Sequence, residues 1–73
     1  MAMRPGTKAE FRAVRKAAGN LRKEGAFKSV GGDRCEREDS YYQGKVLVAV
    51  ERYSIFRGVP GERYYFINPD FLK

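Results

Sequence analysis

The chain has no histidine, and among its 73 residues there is one cysteine, Cys35. An intramolecular disulfide is therefore impossible, and the usual zinc ligand sets cannot be assembled. The same absence removes the commonest general base, so neither a Ser–His nor a Cys–His pairing can form. No glycine-rich phosphate loop leads into a helix. Paired carboxylates for glycoside chemistry would need a cleft that so short a chain cannot wall. The acidic residues Asp33, Glu36, Glu38 and Asp39 are interrupted by Arg34 and Arg37 and lack EF-hand spacing. They read as a solvated loop, and Cys35 within it as a passive thiol. These exclusions lead to a non-enzymatic protein with no metal, no cofactor and no small-molecule substrate.

Long apolar runs are missing too. The longest, VLVAV at 46–50, falls far short of the roughly 20 residues that span a bilayer. The N-terminal MAMRPGTK has no apolar segment of the signal-peptide kind. With a lone cysteine, this gives the expectation of a soluble protein of a reducing cytoplasm, with no membrane partner. At 42% hydrophobic and 33% charged residues the chain is apolar enough to fold rather than remain disordered. Its length allows one domain, hiding only about 60% of the unfolded surface, so stability rests on packing or on a partner.

Charge is abundant and unevenly placed. The formal net charge is +6; residues 1–30 carry eight basic and two acidic groups, so the whole excess lies there. A basic excess draws anionic partners such as nucleic acid, an acidic protein groove or anionic lipid, without choosing among them.

Pro5-Gly6 is a turn signal, and Thr7 followed by Glu10 has the spacing of a capping box, which predicts a helix starting at Lys8. Phe11, Val14, Ala18 and Leu21 then form one helical stripe. The helix can end at Gly19-Asn20 or continue to Gly25. Gly25 is favoured, because Leu21 extends the stripe and Arg22 and Lys23 suit the negative end of the helix dipole; this gives a helix over about 8–24. Residues 26–30, AFKSV, suit a short edge strand, and 31–40 a polar loop. Residues 45–56 alternate as a central strand with a bulge near Glu51-Arg52, 58–61 form a Pro-Gly turn, and 62–68 form a second strand. The predicted fold class is α+β, with one N-terminal helix packed on a small antiparallel sheet of three to four strands.

On a helix running to 24, Lys8, Arg12, Arg15, Lys16, Arg22 and Lys23 all fall within about a third of the circumference, away from the apolar stripe. Like charges at i and i+4, such as Lys8 with Arg12, repel by a few tenths of a kcal/mol each, so this segregation favours a surface that faces nucleic acid or another anionic partner over a plain solvated face. If Gly19 ends the helix, Arg22 and Lys23 leave that arc. Aromatic residues supply a second candidate surface. Tyr41, Tyr42, Tyr53, Tyr64, Tyr65 and Phe66 lie in or beside the strands, with Arg52, Arg57 and Arg63 between them. Sheet packing, base stacking and a protein interface are all open to them, and Tyr53, Arg57, Tyr64 and Tyr65 are the candidates for the last. The signatures of RRM and KH domains are absent.

The single-domain length, the basic helix TKAEFRAVRKAAGNLRKEG and the aromatic end ERYYFINPDFLK together make the chain similar to small bacteriophage transcription regulators that bind host RNA polymerase. The resemblance implies a protein of the host bacterial cytoplasm. Such a protein docks on polymerase, inhibits transcription initiation and acts as an antiterminator, with nucleic acid nearby or as a secondary partner. Two other readings stand beside it. One is an inhibitor of a host defence complex of the anti-CRISPR type, although the basic charge argues against mimicry of nucleic acid. The other is a sequence-independent nucleic-acid-binding module, whose affinity falls steeply with salt.

Overall fold

The computed structural model describes residues 3–72. Strand β1 spans Arg4–Gly6, helix α1 Lys8–Ala18, β2 Arg22–Gly31, β3 Arg34–Gln43, β4 Val46–Phe56 and β5 Val59–Ile67, followed by a 3-10 turn at Pro69–Phe71. The five strands form one antiparallel sheet in the order β1-β5-β4-β3-β2. The chain thus begins at one edge, crosses the sheet as α1, and returns from the other edge as a four-stranded meander. The class is α+β as predicted, with two differences of detail: the sheet has five strands, and a strand precedes the helix.

The helix begins where the capping box places it. Thr7 Oγ1 accepts from the Glu10 backbone N–H at 3.1 Å, and Glu10 Oε1 accepts from the Thr7 N–H at 3.1 Å. Arg4 reaches over from β1 to bond Glu10 at 2.9 Å. These bonds, with the Arg4 contact first and the Thr7 backbone second, hold the Glu10 carboxyl below its ordinary pKa.

The helix ends earlier than the favoured reading. Ala18 is its last residue, and Gly19 takes φ +79°, a conformation without cost only for glycine. Gln43 Nε2 on β3 donates to the freed Ala18 carbonyl at 2.6 Å. Residues 22–31 then pair with β3, so ladder hydrogen bonding overrides their helical spacing. Gly25 is therefore no helix cap. A Cβ there would stand 3.0 Å from both Arg37 Nη2 and Asp39 Oδ1, and its absence makes room for that ion pair.

The expected loop over 31–40 is mostly strand as well. Its charges misled because they are paired: Glu38 across the ladder with Arg52 at 3.0 Å, and Asp39 with Arg37 two residues back on the same strand at 3.0 Å and with Lys23 of β2 at 3.9 Å. The reversal itself is tighter, at Gly32-Asp33, where both residues have positive φ. The β4–β5 turn is likewise shifted from the expected 58–61 to Arg57-Gly58, two positive-φ residues of the kind that match the twist of a hairpin. Pro60 falls inside β5, where β1 does not reach and a missing N–H need break no ladder bond.

β4 does carry a bulge against β3, but at Val48 rather than near Glu51-Arg52, and Val50 stays on the face opposite Tyr53 and Ile55. Tyr41 faces Ala49 and Tyr42 faces Leu47, leaving Val48 as the extra residue. Val48 and Ala49 are consequently both fully buried, whereas Val46 is exposed. Asn68, itself fully buried, donates from its backbone N to the Val48 carbonyl and from Nδ2 to that of Leu47, which ties the chain end to this irregular stretch. Phe11, Val14 and Ala18 of α1 pack on Tyr41, Val48, Ala49 and Ile67, and Leu21, Tyr65, Phe71 and Leu72 close the margins. An 11-residue helix is about 16 Å long, while the molecule extends 41 Å. The helix covers one end of the sheet and leaves the other end bare. No helix among the described residues is long and apolar enough to cross a membrane.

Candidate nucleic-acid and protein interfaces

The early end of α1 divides the six predicted cations. Lys8, Arg12, Arg15 and Lys16 remain on the helix; Arg22 and Lys23 belong to β2. Neighbouring strand residues point to opposite faces. Arg22 pairs with Tyr42 on the face away from the helix, lies 4.9 Å over its ring, and bonds Glu24 at 2.9 Å. Lys23 pairs with Tyr41 on the helix side.

Lys23 therefore meets Arg12, Arg15 and Lys16 around an open cleft of about 600 Å³ between the end of α1 and β2, with Tyr41 in its wall. Arg15 is half-buried, its guanidinium 4.2 Å from the Tyr41 ring centroid and 5.1 Å from that of Phe11. Stacking on two rings fixes the cation in place without a carboxylate. Its Nε is buried and has no hydrogen-bond acceptor. Lys8, one helical turn before Arg12, lies away from the cleft-lining set.

Ion pairing divides the cations into two groups. Arg4, Arg22, Arg37, Arg52, Arg57 and Arg63 each contact a carboxylate within 4 Å, whereas Lys8, Arg12, Arg15 and Lys16 on α1, and Lys28, Arg34 and Lys45 elsewhere, have no ion pair among the described residues. Four of these uncompensated cations thus lie together on α1, with Lys23 adding a cation only loosely held by Asp39.

The predicted aromatic group is dispersed. Tyr65 packs on Phe11, with ring centroids 4.7 Å apart, and belongs to the margin of the core. Tyr64 is exposed on the opposite face. Arg57 sits at the far hairpin tip, 3.7 Å from Asp33. Tyr53 alone joins a continuous surface on the helix side.

That surface is a row across four strands that sequence reasoning did not find. Register places Arg63 opposite Tyr53, Tyr53 opposite Arg37, and Arg37 opposite Phe27. The Arg63 guanidinium lies 4.2 Å from the Tyr53 ring and that of Arg37 lies 4.4 Å from the Phe27 ring. The adjoining row neutralises it, Glu51 bonding Arg63 at 3.1 Å and Asp39 bonding Arg37 at 3.0 Å. Asp39 raises the Arg37 pKa. For Arg63 desolvation acts downward, but Glu51 and Tyr53 outweigh it and the net shift is upward. The visible signal was alternation in β3, whose odd residues Cys35, Arg37, Asp39 and Tyr41 share the helix side; the loop reading concealed it.

Among the described residues no group of three His, Cys, Asp or Glu side chains is placed to hold a metal. Cys35 is half-buried and unpaired with any other cysteine. No protein-family model, curated protein or solved structure matches the chain.

Proposed function

We propose that the protein is a non-enzymatic docking protein that binds host RNA polymerase, inhibits transcription initiation and promotes read-through at intrinsic terminators. The observation that supports this reading is the division of labour between two surfaces. The row Arg63–Tyr53–Arg37–Phe27 is aromatic, arginine-rich and internally neutralised, the composition of a protein-interface core. The cleft formed by Arg12, Arg15, Lys16 and Lys23 is cationic and largely uncompensated, as a surface beside a phosphate backbone requires. A protein that grips a nucleic-acid-processing enzyme needs one of each.

The test is affinity capture from bacterial lysate with and without nuclease. Large polymerase subunits should remain bound after nuclease treatment, and should be lost when Tyr53 and Phe27 are replaced by Ala. The triple substitution R12A/R15A/K16A should leave capture intact while reducing the effect on transcription. Recovery of CRISPR effector subunits in place of polymerase would sink the polymerase reading and favour the defence-inhibitor one.

The uncompensated cleft specifically favours a second reading, direct sequence-independent binding of nucleic acid. In that case nuclease abolishes all capture. Neutralising four phosphates then gives a log–log salt slope of roughly −3 to −4.

A further inference from the structure

The two edges of the sheet are built differently. On one side β1 covers only Tyr65–Ile67, and the uncovered part of β5 carries Pro60 and Gly61 beside a register irregularity. Proline and irregular pairing are ordinary devices for making an edge unfit to pair. On the other side β2 runs unbroken from Arg22 to Gly31, has no proline, is paired only through β3, and is exposed throughout. Its only register irregularity lies near the end, between Ser29 and Gly31. Phe27 stands 64% exposed in its middle.

We propose that β2 is the interface of a homodimer in which two copies pair antiparallel about a dyad at Ala26, joining their sheets into one. The occupant is argued from the sequence of the strand. A continuous sheet requires facing residues to lie on the same side, so only registers that match even with even and odd with odd positions are allowed. With the dyad at Ala26, Glu24 of each copy faces Lys28 of the other, giving two opposite-charge pairs. Phe27 faces Gly25, so no side chain opposes the ring across the seam, and the ring lies beside the Arg37–Asp39 pair that occupies the space at Gly25. Lys23 faces Ser29 and Arg22 faces Val30, so no like charges meet. Moving the dyad to Gly25 sets Arg22 against Lys28, and moving it to Phe27 removes every charge pair. Self-complementarity is thus confined to one register that uses residues 22–30, almost the whole strand. The proposal does not rest on the polymerase reading, but the two share Phe27, where the Tyr53 row ends on β2; substitutions at Glu24 and Lys28 leave that row unchanged.

Charge exchange on the purified full chain tests it. Glu24, Lys28 and their neighbours are exposed, so E24K and K28E should fold as the wild type does, as circular dichroism will check. Sedimentation velocity over about 10 μM to 1 mM should give twice the monomer mass for the wild type at the upper end. Each single variant should weaken dimerisation at least about tenfold, since both symmetry-related pairs turn repulsive, and E24K/K28E should restore it. A wild type that stays monomeric across the range overturns the proposal, leaving the edge to a foreign strand. So does a wild-type dimer to which E24K, K28E and the double variant are equally indifferent.

Discussion

Replacing Asp39 by Asn separates the loop reading of residues 31–40 from the strand they form. In a solvated loop the change should cost under about 0.5 kcal/mol. In the folded protein Asp39 is 3% exposed on a central strand, bonding Arg37 at 3.0 Å with Lys23 at 3.9 Å. The substitution keeps the shape and removes the charge, leaving Arg37 without its carboxylate. A hydrogen bond to a charged group contributes about 1.5–3 kcal/mol, and a fully buried ion pair broken on one side costs about 3–5. Arg37 retains some solvent access and Lys23 more, so the lower range applies, about 1.5–2.5 kcal/mol. In a domain of this size each kcal/mol shifts Tm by about 4–8 °C, giving a loss of roughly 6–20 °C. Urea denaturation and thermal melting at neutral pH measure it. Asp33→Asn is the control, because Asp33 and Arg57 are both largely exposed and 3.7 Å apart, and that variant should barely differ from wild type. Adding Arg37→Met to Asp39→Asn should recover part of the loss, since the stranded cation goes with it. Equal small shifts for D39N and D33N would refute the placement of Asp39 at a buried ladder position.

Glu10 gives a pH-dependent prediction. Its folded pKa is lowered by Arg4 and Thr7, so its contribution to stability is present above the ordinary carboxylate pKa and is lost as pH falls through the lowered value. Glu10→Gln should therefore lower Tm at pH 7 and make no difference at the acid end of a Tm-against-pH series; a constant gap at all pH values would contradict this. Ile67→Val, at a fully buried position between Arg4 and Ala49, should cost about 0.5–1.5 kcal/mol in urea titration, with an unchanged m-value.

What could be read from the sequence was local. The capping box needs only Thr7 and Glu10 at their spacing, and the residues that satisfy it are neighbours in the chain. The stripe of Phe11, Val14 and Ala18 is fixed by helical geometry and is buried as expected. Composition excluded a disulfide whatever the fold. The charge excess of the first thirty residues was also visible, although not which of its cations would share a surface.

The tertiary structure decided the rest, because the deciding partners are distant in the chain. Residues 22–25 have helical periodicity, but ladder bonds to residues 39–42 and the Gln43 cap on Ala18 make them a strand. Asp39 looks like a loop acid until Arg37 and Lys23 close on it from the same face. The row Arg63–Tyr53–Arg37–Phe27 exists only in the register of three strand pairs, which no local pattern specifies. The sequence determined the start of the helix and the sign of the charge. Long-range pairing decided where the helix stops, which charges are cancelled, and which four cations remain together in one cleft.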